Sequence, residues 1–187
     1  LNEKMIRKQK QQAVSEQVVE LENYRLKPNK MQVAFVKNVM EMRAQHIDRA
    51  LLLSSTGTGK SLASAFMLRE MGTRRALFIV HREQIAKQTL KSYKRVFGSS
   101  RTYGLLSGNS RALGAEFLFA TMQMMSKEDI LSHYSPGDFD VIILDECHHA
   151  GAESYQKIMR YFKPKFWLGM TASPDTNQYD IYSIFDH

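Results

Sequence analysis

The chain is 187 residues long and carries 26 Lys and Arg against 19 Asp and Glu, a net charge of +7 at neutral pH. Its 43% apolar and 24% charged residues are those of one folded domain, which excludes a disordered chain, a collagen and, with one cysteine, a disulfide scaffold. No apolar run nears the ~20 residues that span a bilayer, and the polar first dozen residues lack the apolar centre of a signal peptide. The lone Cys147 can make no internal disulfide and points to a reducing, cytoplasmic setting. Excess basic charge favours an anionic partner, nucleic acid before membrane.

Residues 1–26 are polar and charged, with Val14, Val18 and Leu21 at weak helical spacing. They read as a helical extension ahead of a domain over 27–187. Pro28 interrupts the pattern, and Asn29 is placed to cap a helix with Met31, Phe35, Val39 and Met42 on one face. Then strands and helices alternate. The runs 50–54, 76–80, 117–120, 141–145 and 166–170 read as strands. The segments 61–71, 81–97 and 152–162 read as helices, the first two stopped by Gly72 and Gly98. Residues 103–106 could form one more strand within a loose polar stretch, 99–114. Strands that are apolar throughout and separated by helices predict an α/β fold, a parallel sheet covered by helices on both faces.

The segment from Ser54 to Ser61 reads S-S-T-G-T-G-K-S between a predicted strand and a predicted helix. It fits the phosphate-loop pattern G-x-x-x-x-G-K-[ST], with Ser54 in the first glycine position. Gly57 and Gly59 let the backbone curl so that successive N–H groups, with those of Thr56 and Thr58, converge on one anion at a helix start. Lys60 reaches the terminal phosphates and Ser61 offers a hydroxyl to Mg²⁺. A second motif ends the strand 141–145 in Asp145 and Glu146. Parallel sheets gather ligands at the carboxyl ends of their strands, so these acids and the loop belong on one edge. There Asp145 would hold Mg²⁺, and Glu146 would position and deprotonate an attacking water. Cys147, His148 and His149 follow directly, but adjacent ligands without a second cysteine lack the spacing of a zinc site.

Three segments, 55–61, 145–149 and 169–174 (G-M-T-A-S-P), resemble in order motifs I, II and III of superfamily 2 helicases. The variant is similar to the group that contains the type III restriction ATPase subunits and related DEAD/DEAH-box helicases. The resemblance implies a RecA-like phosphate-loop NTPase domain, with ATP and Mg²⁺ as cofactors and nucleic acid as the track, DNA ahead of RNA. It implies that Gln32, four residues after Pro28, reads adenine, with Tyr24 as a stacking partner. It implies that His81, Arg82 and Gln84, and Thr121 with Gln123, meet the nucleic-acid backbone. His148, His149, Thr171 and Ser173 would couple the two sites, Ser173 standing where many relatives carry Thr. A second RecA-like domain with its arginines is expected in the same full-length chain beyond Phe185, and a nuclease domain upstream fits the restriction-like motifs. The competing readings are an RNA helicase and a nucleic-acid-binding module with an inactive ATP site. A phosphate-loop kinase does not explain the acid pair fused to Cys-His-His, and a GTPase would need an N-K-x-D segment, which the sequence lacks.

Overall fold

The computed structural model describes residues 26–53, 57–147 and 152–172. Its elements follow the chain as α1 (Lys30–Ala44), β1 (Arg49–Leu53), α2 (Gly57–Met71), β2 (Ala76–Val80) and α3 (Glu83–Phe97). After a single turn of 3₁₀-helix at Gly98–Ser100 come β3 (Tyr103–Ser107), β4 (Ser110–Arg111) and β5 (Phe117–Thr121). The short helices α4 (Met122–Met125) and α5 (Glu128–Leu131), then β6 (Val141–Asp145), α6 (Glu153–Tyr161) and β7 (Phe166–Thr171), complete the described fold.

Seven strands form one sheet in the order β1-β7-β6-β2-β5-β3-β4, parallel throughout except for β4, which returns antiparallel beside β3. Because strand side chains alternate between faces, the sheet divides its apolar residues into two cores. Phe78 and Val80, Phe117 and Phe119, Val141 and Ile143, Phe166 and Leu168 pack under α1, α2 and α3. The intervening Leu77, Ile79, Leu118, Ile142 and Leu144 pack under α4, α5 and α6. Each core is apolar and extended, the condition that lets a parallel sheet carry continuous apolar strands.

Several boundaries move from those the sequence predicts, each for a local reason. The helix expected from Ser61 begins at Gly57, so Gly59 and Lys60 stand in its first turn and the expected phosphate loop runs into the helix start. The helix expected from His81 begins at Glu83, with Arg82 as an extended N-cap residue that makes no side-chain cap bond, since arginine has no short acceptor. Met31 was expected on the packed face of α1 but is 60% exposed, and the neighbouring Gln32 takes the buried place. Gly72 and Gly98 do stop their helices, at φ of 65° and 57°, backbone that L side chains adopt at a cost. The loose stretch 99–114 folds into β3 and β4, and Gly104 is required there. A Cβ on Gly104 would lie 2.6 Å from both the Ala112 carbonyl oxygen and the Ala115 Cβ. The N-terminal extension, up to residue 25, lies outside the described residues.

Candidate nucleotide and nucleic-acid sites

All strands but β4 run the same way, so their carboxyl ends line one edge. The register puts Leu53 of β1 beside Thr171 of β7, Asp145 of β6 beside Met170, and Val80 of β2 beside Thr121 of β5. Motif residues up to 118 positions apart, Leu53 and Thr171, thereby reach one edge, because every crossover returns the chain to the same side.

On that edge α2 projects Lys60 toward the acids of β6. The lysine is 3% exposed. Its Nζ lies 3.5 Å from Glu146 Oε1 and 4.0 Å from Asp145 Oδ1. A buried ammonium requires such partners, and the two carboxylates supply them. Asp145 Oδ1 also accepts the Glu146 backbone N–H at 3.0 Å. Glu146 holds φ 52°, the left-handed region, at a cost of about 1–2 kcal/mol for a residue with a Cβ. The strand therefore ends in an abrupt turn that sends two successive carboxylates to the lysine. Ser61 and Asp145 are oxygen donors of the kind Mg²⁺ takes. The residues Thr56, His148, His149, Ser173 and Tyr24 lie outside the described residues, as does the side chain of Thr58.

Gln32 serves two structures at once. Its Oε1 accepts the Asn29 N–H and its own N–H donates to Asn29 Oδ1, both at 2.9 Å, a reciprocal capping box for α1. Its Nε2 donates to the Gly59 carbonyl at 3.4 Å, which joins the cap of α1 to the first turn of α2. The residue expected to read adenine thus stands against the first turn of α2. Thr171, fully buried at the end of β7, stands between the phosphate-loop strand and the acidic strand.

The residues expected to meet nucleic acid share the same edge on the β2–β5 side. His81, Arg82, Gln84 and Gln123 are exposed, whereas Thr121 is buried and its Oγ1 caps α4 by accepting the Met124 N–H at 3.4 Å. Glu83 opens α3 with its carboxyl held below the usual range, chiefly by the hydrogen bond from Lys87 and then by that of Ser107.

Two buried tyrosines on predicted helices join these sites. Tyr155 of α6 is fully buried, its hydroxyl donates to the Asp145 carbonyl at 3.4 Å, and its ring meets His81 edge-on at 5.8 Å. Tyr93 of α3 meets Ser64 of α2 hydroxyl to hydroxyl at 2.7 Å, and Ser64 donates to the Ser61 carbonyl at 2.7 Å. Because Ser64 has one proton to give, Tyr93 is the donor in their pair. Burial raises the pKa of both phenols and so keeps them neutral. Cys147, next to Glu146, is buried, and its thiol is pushed up to about 12, first by burial and then by the Glu146 charge.

Comparison with known proteins fits this geometry. The family model for the type III restriction enzyme Res subunit matches residues 25–176. The chain is 28% identical over 159 residues to the type I restriction enzyme EcoAI endonuclease subunit of Escherichia coli, covering 79% of this chain and 19% of that protein. It is 30% identical over 149 residues to the ATP-dependent RNA helicase DHX58 of Mus musculus, covering 65% and 22%. The chain thus spans about a fifth of the length of these relatives. Among solved structures the UvsW helicase of bacteriophage T4 superposes with a TM-score of 0.65 at 20% identity, covering 87% of this chain and 58% of that one. At that identity the likeness concerns the fold, which is RecA-like. With the family model spanning most of its length, the chain belongs to the type III restriction enzyme Res subunit family of superfamily 2 helicase-type domains.

Proposed function

We propose that this chain is the nucleotide-binding half of a motor that hydrolyses Mg-ATP and uses it to move along or remodel DNA. The observation that carries this reading is Lys60, buried and 3.5 Å from Glu146, at the carboxyl edge of a parallel sheet. A phosphate chain entering that edge would replace the carboxylates as the partner of Lys60 and meet the N–H groups that open α2. Ser61 and Asp145 would hold Mg²⁺, which supplies charge neutralisation to the phosphates when bound. Glu146, 34% exposed at its side chain, would be left facing water and would orient it and take its proton. Gln32 would read adenine beside Gly59. His81, Arg82, Gln84, Thr121 and Gln123 would follow the nucleic-acid backbone, Thr121 with the O–H that its cap, made through an oxygen lone pair, leaves to donate. Thr171 with His148, His149 and Ser173 would pass the state of one site to the other. A second RecA-like domain in the longer protein would add arginines to the transition state, and a nuclease domain is a further partner suited to the restriction relatives.

DNA as the track rests on the restriction-enzyme family. RNA is the second reading, favoured by the similarity to an RNA helicase. The test uses the full-length protein with DNA and RNA duplexes as stimulants. Glu146→Gln should bind ATP as the parent does and lose about 10²–10⁴ in turnover, the scale of general-base catalysis. Lys60→Ala should weaken binding itself. Parental turnover in Glu146→Gln would remove the base assignment, and stimulation by RNA alone would move the track to RNA.

A further inference from the structure

Helix α1 has more apolar surface than its packing uses. Its inner face sets Gln32, Phe35, Val39 and Met42 against α2. A second stripe, Val33, Val36 and Met40, repeats at i, i+3 and i+7, the spacing of another packed helix face, with Val36 also touching the core and Val33 the most open of the three. Val33 is 50% exposed. With Pro28 and with Phe66 of α2, this stripe lines a groove of about 370 Å³ rimmed by Lys37, Arg69 and Glu70.

The chain enters the fold at the mouth of this groove. The Arg69 guanidinium, on the rim, donates to the Leu26 carbonyl at 3.4 Å, and Pro28 is part of the lining. Twenty-five residues precede Leu26. Among them, Val14, Val18 and Leu21 are separated by i, i+4 and i+7, so a helix would align them in a stripe about 10 Å long, the same two turns as Val33 to Met40. Between Ala13 and Tyr24 the sequence holds Glu16, Glu20 and Glu22 and no cation, in a chain whose net charge is +7. The groove rim offers two cations and one carboxylate.

We propose that residues 13–24 dock in this groove as a helix antiparallel to α1, forming a helical hairpin through Leu26–Asn29. Leu21 then meets Val33, Val18 meets Val36, and Val14 meets Met40, with Glu22 flanking that stripe and Glu16 and Glu20 on the outer face. Short connections make antiparallel helix neighbours. The docked segment braces the helix that carries Gln32, on the side away from Gly59. The proposal stands on the groove and the sequence and does not depend on the nucleotide chemistry.

The test is a bismaleimide cross-link in the whole 187-residue chain between Gln17→Cys and Lys37→Cys, with Gln17→Cys and Lys91→Cys on α3 as the distant control. The parent chain, whose single thiol is buried, sets the background. Docking predicts an intrachain product at Lys37 whose yield does not change with protein concentration. Adding Leu21→Asp, which places a charge in an apolar contact, should lower that yield about tenfold without changing the melting of the sheet. Hydrogen exchange supplies a second reading that needs no cysteine: in Leu21→Asp, amides of residues 33–40 should exchange faster. Equal yields at Lys37 and Lys91, or exchange unaltered by Leu21→Asp, would overturn the proposal. Products only between chains, rising with concentration, would also overturn it and assign the groove to a second copy.

Discussion

Lys60 and Glu146 show how single residues here carry constraints that conflict with comfortable local structure. The lysine is buried with a charge that the two acids balance, and Glu146 adopts left-handed backbone to take part. Cys147, one position on, tolerates the opposite environment because its neutral form is the stable one there. Its thiol is raised from 9.0 to about 12. A group raised in the folded state adds stability that is complete below its unfolded value, and the contribution disappears as pH climbs from 9 toward 12. At pH 10 the unfolded thiol is mostly ionised and the folded one is not, a loss of about 1.4 kcal/mol. Urea midpoints should therefore fall from pH 8 to pH 10 more steeply in the parent than in Cys147→Ser, whose hydroxyl does not titrate. Parallel pH profiles in the two proteins would mean that the thiol meets water. Tyr93 and Tyr155, also raised by burial, add to the alkaline loss in both proteins and so do not obscure the comparison.

At the level of elements, α2 and α3 are joined by a buried polar pair inside a mainly apolar layer, Ser64 with Tyr93. Ser64 belongs to the helix that the expected phosphate loop opens, Tyr93 to its neighbour. Removing one partner leaves a buried hydroxyl with nothing to bond, which costs more than the pair contributes. Ser64→Ala should destabilise by about 1–3 kcal/mol, Tyr93→Phe by about 0.5–1.5, because Ser64 keeps the Ser61 carbonyl. The double variant should recover part of the Ser64→Ala loss, and thermal melts that add the two single effects would show that the hydroxyls do not depend on each other. These elements also mark what the sequence discloses. The apolar strands 76–80 and 141–145 are visible because both faces of the sheet are covered, and the observed elements have the same ends. The helices α4 and α5 are too short for a 3.6-residue period to register, and β4 has two residues. The capping box of α1 was written in the sequence as Asn29-x-x-Gln32, a signal that competes with a nucleotide role for the same side chain. The contact of Gln32 with Gly59 depends on how α1 meets α2, which no local pattern encodes.

Over the whole molecule the strand order divides the labour of one edge. The strands β1, β7 and β6 bring Lys60, Thr171 and the acids together, while β2 and β5 carry His81, Arg82 and Thr121. Tyr155 stands between the halves, touching Asp145 and His81. The motifs make the nucleotide half legible because phosphate chemistry needs particular residues at particular spacings. The other half is less legible, since backbone contacts accept many residue types, and Thr121 shows the hazard: a hydroxyl that suits a phosphate equally suits a helix cap. The basic charge gives this half its test. Glu83, the carboxylate nearest to Arg82 in sequence, is paired with Lys87 at 3.2 Å, so it is not left to repel a phosphate beside Arg82. Each phosphate neutralised adds about 0.7–0.9 to the slope of log K against log salt, and one domain's share of a track should give a shallow slope, about −2 to −3. Arg82→Ala in the 187-residue chain should weaken DNA binding alike for every sequence and reduce the slope by about one. Thr121→Ala should act differently. It removes a cap from α4, so its loss should appear in the melting temperature, with the salt slope unchanged, since a hydroxyl displaces no counterion. Fluorescence titrations at several salt concentrations read both quantities. An Arg82→Ala chain with parental affinity and slope would place the nucleic acid away from the ends of β2 and β5, and the positive charge would then belong to surfaces other than the one that the motifs share.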